Sequence, residues 1–385
     1  MANSITPFRI QVPDAVLDDL RERLARTRFP DQVNDASWSY GTDLDYLREL
    51  VEYWRTRFDW RKQEEALNAF DQFTTRVDGL RMHFLHVRSP EPSAQPLIIT
   101  HGWPGSIMEF HKILGPLSDP VAHGGSAEDA FHVVCPSIPG YGFSQAASEP
   151  GMDCQRVAEL EAALMARLGY SRYGAQGGDW GAIISTLIGV RDPSHCVGIH
   201  LNMVVAGPPQ GVENPTEGLS PAELQGLADM GRFQEQETGY QRIQGTKPQT
   251  LGYALNDSPA GLAAWIVEKF RTWSDCEGDV ERRFSKDELL TNITLYWVTQ
   301  TIASSIRLYC ESMRSGRFGP SSEKVAVPMG AAIFPKELYR PPRAWAEAHF
   351  DVRQWTEMKA GGHFAALEEP EALVADIRSF FRKLR

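Results

Sequence analysis

Apolar residues recur with two different periods along this chain, and the change of period divides it. Near the N-terminus Val16, Leu17, Leu20 and Leu24 share one helical stripe, with Asp14 in the position of an N-cap. A second helix is predicted after Asp43, where Leu47, Leu50, Val51 and Trp54 follow the i, i+3, i+4, i+7 spacing. Acidic Asp18, Asp19 and Glu22 occupy the polar face, so the stripes predict helices laid on a larger body rather than on a membrane. From about residue 76 short apolar runs end in glycine- and proline-rich turns: PLIIT (96–100) before HGWPG, FHVVCPSI (131–138) before PGYGFS, CVGIHLNMV (196–204) and VAVPMGAAIF (325–334). Such near-continuous strands alternating with helices predict the α/β class, a mostly parallel sheet with helices on both faces. Its ligand site is expected at the C-terminal strand ends, where the turns lie. Between 206 and 322 the pattern turns helical and rich in tyrosine and tryptophan. The expected organisation is an N-terminal helical segment (1–75) packing on core and lid, a first core part (76–205), a helical lid (206–322) and a second core part (323–385).

The bulk properties remove several function classes. A length of 385 residues with 42% hydrophobic content suits a large globular core. The net charge of −11 argues against nucleic acid or an anionic membrane as partner, since both demand a basic face. Cys135, Cys154, Cys196, Cys276 and Cys310 show no C-x-x-C spacing and suit a reducing, cytoplasmic compartment. MANSITPFRIQVPD carries no signal-peptide pattern, and no apolar run is long enough to span a bilayer, so a soluble protein is expected. Neither an H-E-x-x-H zinc pair nor a P-loop is present, and no metal or organic cofactor is expected.

The stretch GAQGGDWGA (174–182) carries the chemistry. It reads as a strand, a sharp turn and a helix, with Gly177, Gly178 and Gly181 allowing close backbone approach and Asp179 where a G-x-S-x-G motif has its serine. Asp179 could simply cap the helix that follows, a common role for aspartate. Three flanking glycines favour the alternative, a nucleophile raised on a strained elbow. A carboxylate attacking a carbonyl would leave a reactive anhydride. Attacking a saturated carbon, it leaves an alkyl ester that water can hydrolyse. Strained epoxides and carbon–halogen bonds are the substrate types that fit.

Ester hydrolysis needs a base, and His363 in KAGGHFAALEEP follows a strand-like run and comes after the nucleophile in chain order. The other histidines, His132, His195 and His200 among them, lack that context. Glu337 in IFPKELY is placed by order to orient the base, with Asp351 and Glu357 as competitors. The backbone N–H groups of Trp180 and of Trp103, in HGWPG, are the expected oxyanion donors.

HGWPGS (101–106), PSIPGYGFS (136–144), QGGDWG (176–181), FPKE (334–337) and GGHFAALEEP (361–370) together resemble the microsomal-type epoxide hydrolases of the α/β-hydrolase superfamily. FDWRKQEEALNAFDQFTTRVDGLRMHFLHVRS (58–89) is similar to that branch's N-terminal segment. Membrane-bound relatives carry an apolar anchor before this point, which is expected to be lacking here. The resemblance implies an α/β-hydrolase fold, a small-molecule epoxide substrate and two lid tyrosines that protonate the epoxide oxygen. By motif these are Tyr240 in ETGYQRIQGTKP and Tyr309 in SSIRLYCES, with Tyr253 and Tyr296 as decoys. The aromatic lid points to apolar epoxides, and homodimerisation is a family expectation. Detoxification, catabolism and biosynthesis all fit the sequence. A haloalkane dehalogenase built on the same aspartate, and a non-catalytic receptor using the lidded cavity, are the alternatives.

Overall fold

The computed structural model describes residues 4–319 and 323–385. The end of the predicted lid, 320–322, and the first three residues lie outside that description. Strands β1 (Thr6–Phe8), β2 (Gln72–Val77), β3 (Leu80–Val87), β4 (Gln95–Thr100), β5 (Phe131–Pro136), β6 (Tyr173–Gly177), β7 (Cys196–Leu201), β8 (Val325–Ile333) and β9 (Phe350–Glu357) form one sheet. Their order is β1-β2-β3-β5-β4-β6-β7-β8-β9. From β5 across to β9 every pairing is parallel, while β1, β2 and β3 add an antiparallel edge. The four apolar runs read from the sequence are β4, β5, β7 and β8, and Leu97, Ile98 and Ile99 of β4 are fully enclosed because helices cover both faces. The edge was not expected. It includes a β2–β3 hairpin turning at Asp78-Gly79, both at positive φ (48° and 83°), and β1 from the segment read as helical.

Helices α1 (Asp14–Ala25), α2 (Leu44–Thr56) and α3 (Trp60–Leu67) come first. Helices α4 (His111–Ser118), α5 (Cys154–Arg167) and α6 (Trp180–Arg191) alternate with the strands. Then α7 (Pro221–Gln236), α8 (Gly239–Thr246), α9 (Pro248–Leu255), α10 (Pro259–Trp273), α11 (Lys286–Thr299) and α12 (Ile302–Arg314) intervene between β7 and β8. Helices α13 (Arg343–His349), α14 (Ala365–Glu368) and α15 (Pro370–Arg382) complete the chain. α5 and α6 pack on one face of the sheet and α4 and α15 on the other, with a hydrophobic cluster under each.

The two N-terminal stripes do what their spacing predicts. Leu17, Leu20 and Leu24 of α1 and Leu47, Leu50, Val51 and Trp54 of α2 are buried, and both helices lean on α10. Asp43 caps α2 by accepting from Tyr46 N–H at 2.9 Å. Asp14, expected as the cap of α1, does not cap it. Pro13 occupies the N-cap, Asp14 is the first helical residue, and its carboxylate pairs with Arg61 across to α3. Among the described residues no helix is long and apolar enough to cross a membrane.

Candidate active site

The turn between β6 and α6 is a tight elbow. A Cβ on Gly181 would sit 1.8 Å from the Thr100 carbonyl oxygen, and one on Gly177 would sit 2.2 Å from that of Gly181. Only glycine lets the helix start this close to β4 and β6. Asp179 at its apex has φ 50° and ψ −129°, a backbone state that is costly for a residue with a side chain. Its carboxylate makes no capping hydrogen bond to α6. The cap explanation therefore fails, and the strain serves to aim the side chain elsewhere.

It is aimed at two groups brought from other strands. Trp103 N–H, in the turn after β4, donates to Asp179 Oδ1 at 2.8 Å. That turn comes so near that a Cβ on Gly102 would lie 2.1 Å from the same oxygen. His363 Nε2 lies 3.2 Å from Asp179 Oδ2, and Nδ1 on the far side of the ring donates to Glu337 Oε1 at 2.8 Å. The structure thus brings Asp179, His363 and Glu337 into one line. Of the competitors, Asp351 pairs with Arg353 at 2.8 Å and Glu357 is exposed. Trp180 begins α6. Its N–H is one of the first-turn donors that a helix cannot satisfy internally.

The loop holding His363 is pinned to the lid. His363 N–H donates to Trp273 O at 3.0 Å, and a Cβ on Gly362 would approach that carbonyl to 2.7 Å. Burial alone would lower the imidazole pKa. The negative charge of Glu337, joined by Asp179, outweighs it and holds the pKa well above the ordinary 6.5. The two flanking carboxylates thus favour the protonated form of His363.

Above Asp179 lies a cavity of about 300 Å³ whose walls include Asp179, Tyr240 and Tyr309, with Ile183, Met203 and Phe318. Both tyrosines are buried and pack against Trp103, Tyr240 stacked at 5.5 Å and Tyr309 edge-on at 5.9 Å between centroids. Burial, with the Asp179 charge nearby, raises both phenols well above the ordinary 10. They stay neutral donors. The decoys fall away: Tyr253 is exposed, and Tyr296 donates its hydroxyl to Gly105 O at 2.6 Å. His200 is spent on a core pair with Asp376 at 2.8 Å.

Three neighbours had no counterpart in the sequence reading. Gln241 Nε2–H donates to the Tyr240 hydroxyl at 2.9 Å. Asn202, at the end of β7, stands so close to the elbow that a Cβ on Gly178 would meet its Nδ2 at 2.3 Å. Glu109, in the turn before α4, has its carboxyl pushed up to about 8 by burial. Its only sequence signal is Gly105 four residues earlier, where a Cβ would collide with the carboxyl. Among the described residues no cluster of histidine, cysteine and acidic side chains could hold a metal ion.

A mostly parallel sheet, an elbow between its central strand and helix, and a helical insertion over the strand ends define an α/β-hydrolase. Residues 95–288 match the family model described as alpha/beta hydrolase fold, and residues 5–110 match the one described as epoxide hydrolase N terminus. Epoxide hydrolase 1 of Sus scrofa is 44% identical over 98% of this chain and 88% of its own length. The solved juvenile hormone epoxide hydrolase of Bombyx mori is similar in structure, with a TM-score of 0.92 and 33% identity over 100% of this chain and 95% of that one. The Aspergillus niger epoxide hydrolase gives 0.89 and 32% over 100% and 97%. The chain belongs to the epoxide hydrolase family.

Proposed function

We propose that this protein hydrolyses apolar epoxides to vicinal diols through an ester on Asp179. The observation that carries the reading is the carboxylate of Asp179 itself. It makes no cap, is held on a strained backbone, receives Trp103 N–H at 2.8 Å and faces both a base and a cavity. In the first step Asp179 attacks an epoxide carbon in line, the C–O bond breaks, and Tyr240 or Tyr309 gives its proton to the departing oxygen. An alkoxide is a poor leaving group without that proton, and two neutral phenols supply it.

Ester formation changes the base. Free Asp179 helps to hold His363 protonated, but an alkylated Asp179 carries no charge. Removing that charge lowers the imidazole pKa, the imidazolium's proton goes to the tyrosinate, and a neutral nitrogen is left where the second step needs it. Water then adds to the Asp179 carboxyl carbon as its proton passes to His363 Nε2. The negative oxygen is stabilised by the backbone N–H groups of Trp103 and Trp180. Collapse breaks the bond to the diol, whose alkoxide takes the proton from His363. The carboxylic proton left on Asp179 returns to His363, which restores the starting imidazolium, and the balance closes on one epoxide and one water.

Ile183, Met203 and Phe318 in the cavity wall support an apolar substrate. Five free, buried cysteines support a cytoplasmic location, with turnover of reactive epoxides, a detoxifying activity, as the physiological reading. The family expectation of a homodimer goes with it and is read by light scattering. Halide displacement has one observation in its favour, the buried indole N–H groups of Trp103 and Trp180, which have no acceptor among the described residues. A halide-release assay on a chloroalkane separates the two readings.

The test is trapping. H363Q treated with a simple aryl epoxide should gain the mass of one substrate on the peptide containing Asp179. Stoichiometric binding with no covalent mass on that peptide would sink the proposal.

A further inference from the structure

Asp179 borders two different voids. Besides the substrate cavity there is a void of about 10 Å³, lined by Asp179, His363, Glu109, Asn202, Phe364 and Ala366 among others, and Asp179 is the one residue the two linings share. That is the volume in which one water molecule can sit, provided it finds two to four polar partners. Asp179, His363, Glu109 and Asn202 are the side chains in its wall that can serve as such partners. Glu109 is half-buried by its accessible surface although protein surrounds it densely enough to keep its carboxyl near 8. Both facts fit a side chain bordering an internal void, where a water-sized sphere still touches it. The backbone N–H groups of Ser106 and Gly102 lie beside its carboxyl and oppose that rise. The neutral acid has an O–H besides, and the void is where it can donate. Gly105 keeps that place open, since a Cβ there would lie 1.2 Å from Glu109 Oε1.

We propose that this rear void seats the hydrolytic water and that Glu109 is the residue positioning it between His363 Nε2 and the Asp179 carboxyl carbon. The substrate would then arrive at one face of the carboxylate and the water at the other. Neither has to leave for the second to act. Glu109 binds the water's oxygen or one of its protons, while the proton that is removed goes to His363. No co-reactant beyond water is needed. The inference rests on the ester route proposed above.

Rapid-quench mass spectrometry on the full chain with a simple aryl epoxide measures alkylation and ester hydrolysis as separate rate constants. E109L should alkylate within about threefold of the wild type while hydrolysis falls about 10–100-fold, the cost of misplacing a reactant by an ångström or so. E109Q, an isostere of the neutral acid, should restore most of the hydrolysis rate. A366V, which narrows the void and leaves Glu109 in place, should also slow hydrolysis alone, and it decides the matter if the Glu109 variants do not fold. Hydrolysis within threefold of wild type in every folded variant, or alkylation and hydrolysis falling together, overturns the role of Glu109 and its void. Absence of any ester in the wild type would instead overturn the ester route.

Discussion

The two voids that meet at Asp179 are built from different parts of the chain, and the proposed reaction gives them different chemistry. The front cavity, about 300 Å³, is roofed by lid helices that contribute Tyr240 and Tyr309 and is walled by apolar side chains. The rear void, about 10 Å³, is made at the sheet's strand ends, where Asp179, His363, Glu109 and Asn202 meet walls shared with Trp103, Phe110 and Phe364. A roomy apolar chamber accepts a variable substrate. A void of one water's volume that meets a few hydrogen-bonding side chains suits water and would hold it in one place. The difference teaches how, in the proposed reaction, one carboxylate would serve in turn as nucleophile and as electrophile, each role with its own approach.

The comparison breaks outright if the carboxylate does not matter. D179N should lower epoxide turnover about 10⁴-fold or more, the scale seen when a nucleophile is removed. Steady-state diol formation measures it, and D179N should accumulate no ester. Next in size, the front face is tested by Y240F/Y309F, whose alkylation rate should fall about 10³-fold, within the range of general acid catalysis. Its ester hydrolysis should be almost unchanged. Each single variant should lose less, because the second phenol still donates.

The rear face is sharpened by E337Q. Glu337 raises the His363 pKa, so removing its charge lowers that pKa. In the alkylated enzyme the base is then neutral at lower pH, and the rising limb of the hydrolysis rate should move to the acid side. The plateau should drop about 10²-fold because a weaker base accepts the proton less readily. The measurement is single-turnover hydrolysis across pH, and an unshifted limb would contradict the assignment of Glu337.

The smallest effect lies beneath both faces. Buried Glu161 accepts from the Thr100 hydroxyl at 2.7 Å, and burial pushes its carboxyl up to about 8. A carboxyl with a raised folded pKa binds more protons folded than unfolded, so stability falls as pH rises between the ordinary carboxylate range and about 8. Wild type should lose stability across that window relative to E161Q, at no more than about 1.4 kcal/mol per pH unit. Urea melts at pH 5 and pH 8 check it, and catalytic steps should barely change.

How much of this was legible in the sequence follows from where the information lies. The central strands were readable because burial on both faces makes them continuous apolar runs, as at Leu97, Ile98 and Ile99. The β2–β3 edge has one face on a different neighbour and polar Thr74, Thr75 and Arg76 along it, so no apolar run marks it. Its Asp78-Gly79 turn was the available signal. The elbow was readable because tight backbone approach demands glycine locally. Asp14 was misassigned because its helix begins one residue earlier than the capping pattern suggests. Glu337 and the two tyrosines were candidates among several, since only tertiary contact separates Glu337 from Asp351 and Tyr309 from Tyr253. Glu109 and Asn202 left almost no trace, because what singles them out is a void and not a motif.

The central claim is that substrate bonds to Asp179 before water does. Single-turnover hydrolysis of a simple aryl epoxide in ¹⁸O-labelled water, with enzyme in excess, tests it most directly. The account predicts an unlabelled oxygen from Asp179 in the first-turnover diol and the label in the Asp179 peptide. Label appearing directly in the diol, with none in Asp179, would mean that water opens the epoxide itself and would contradict the account.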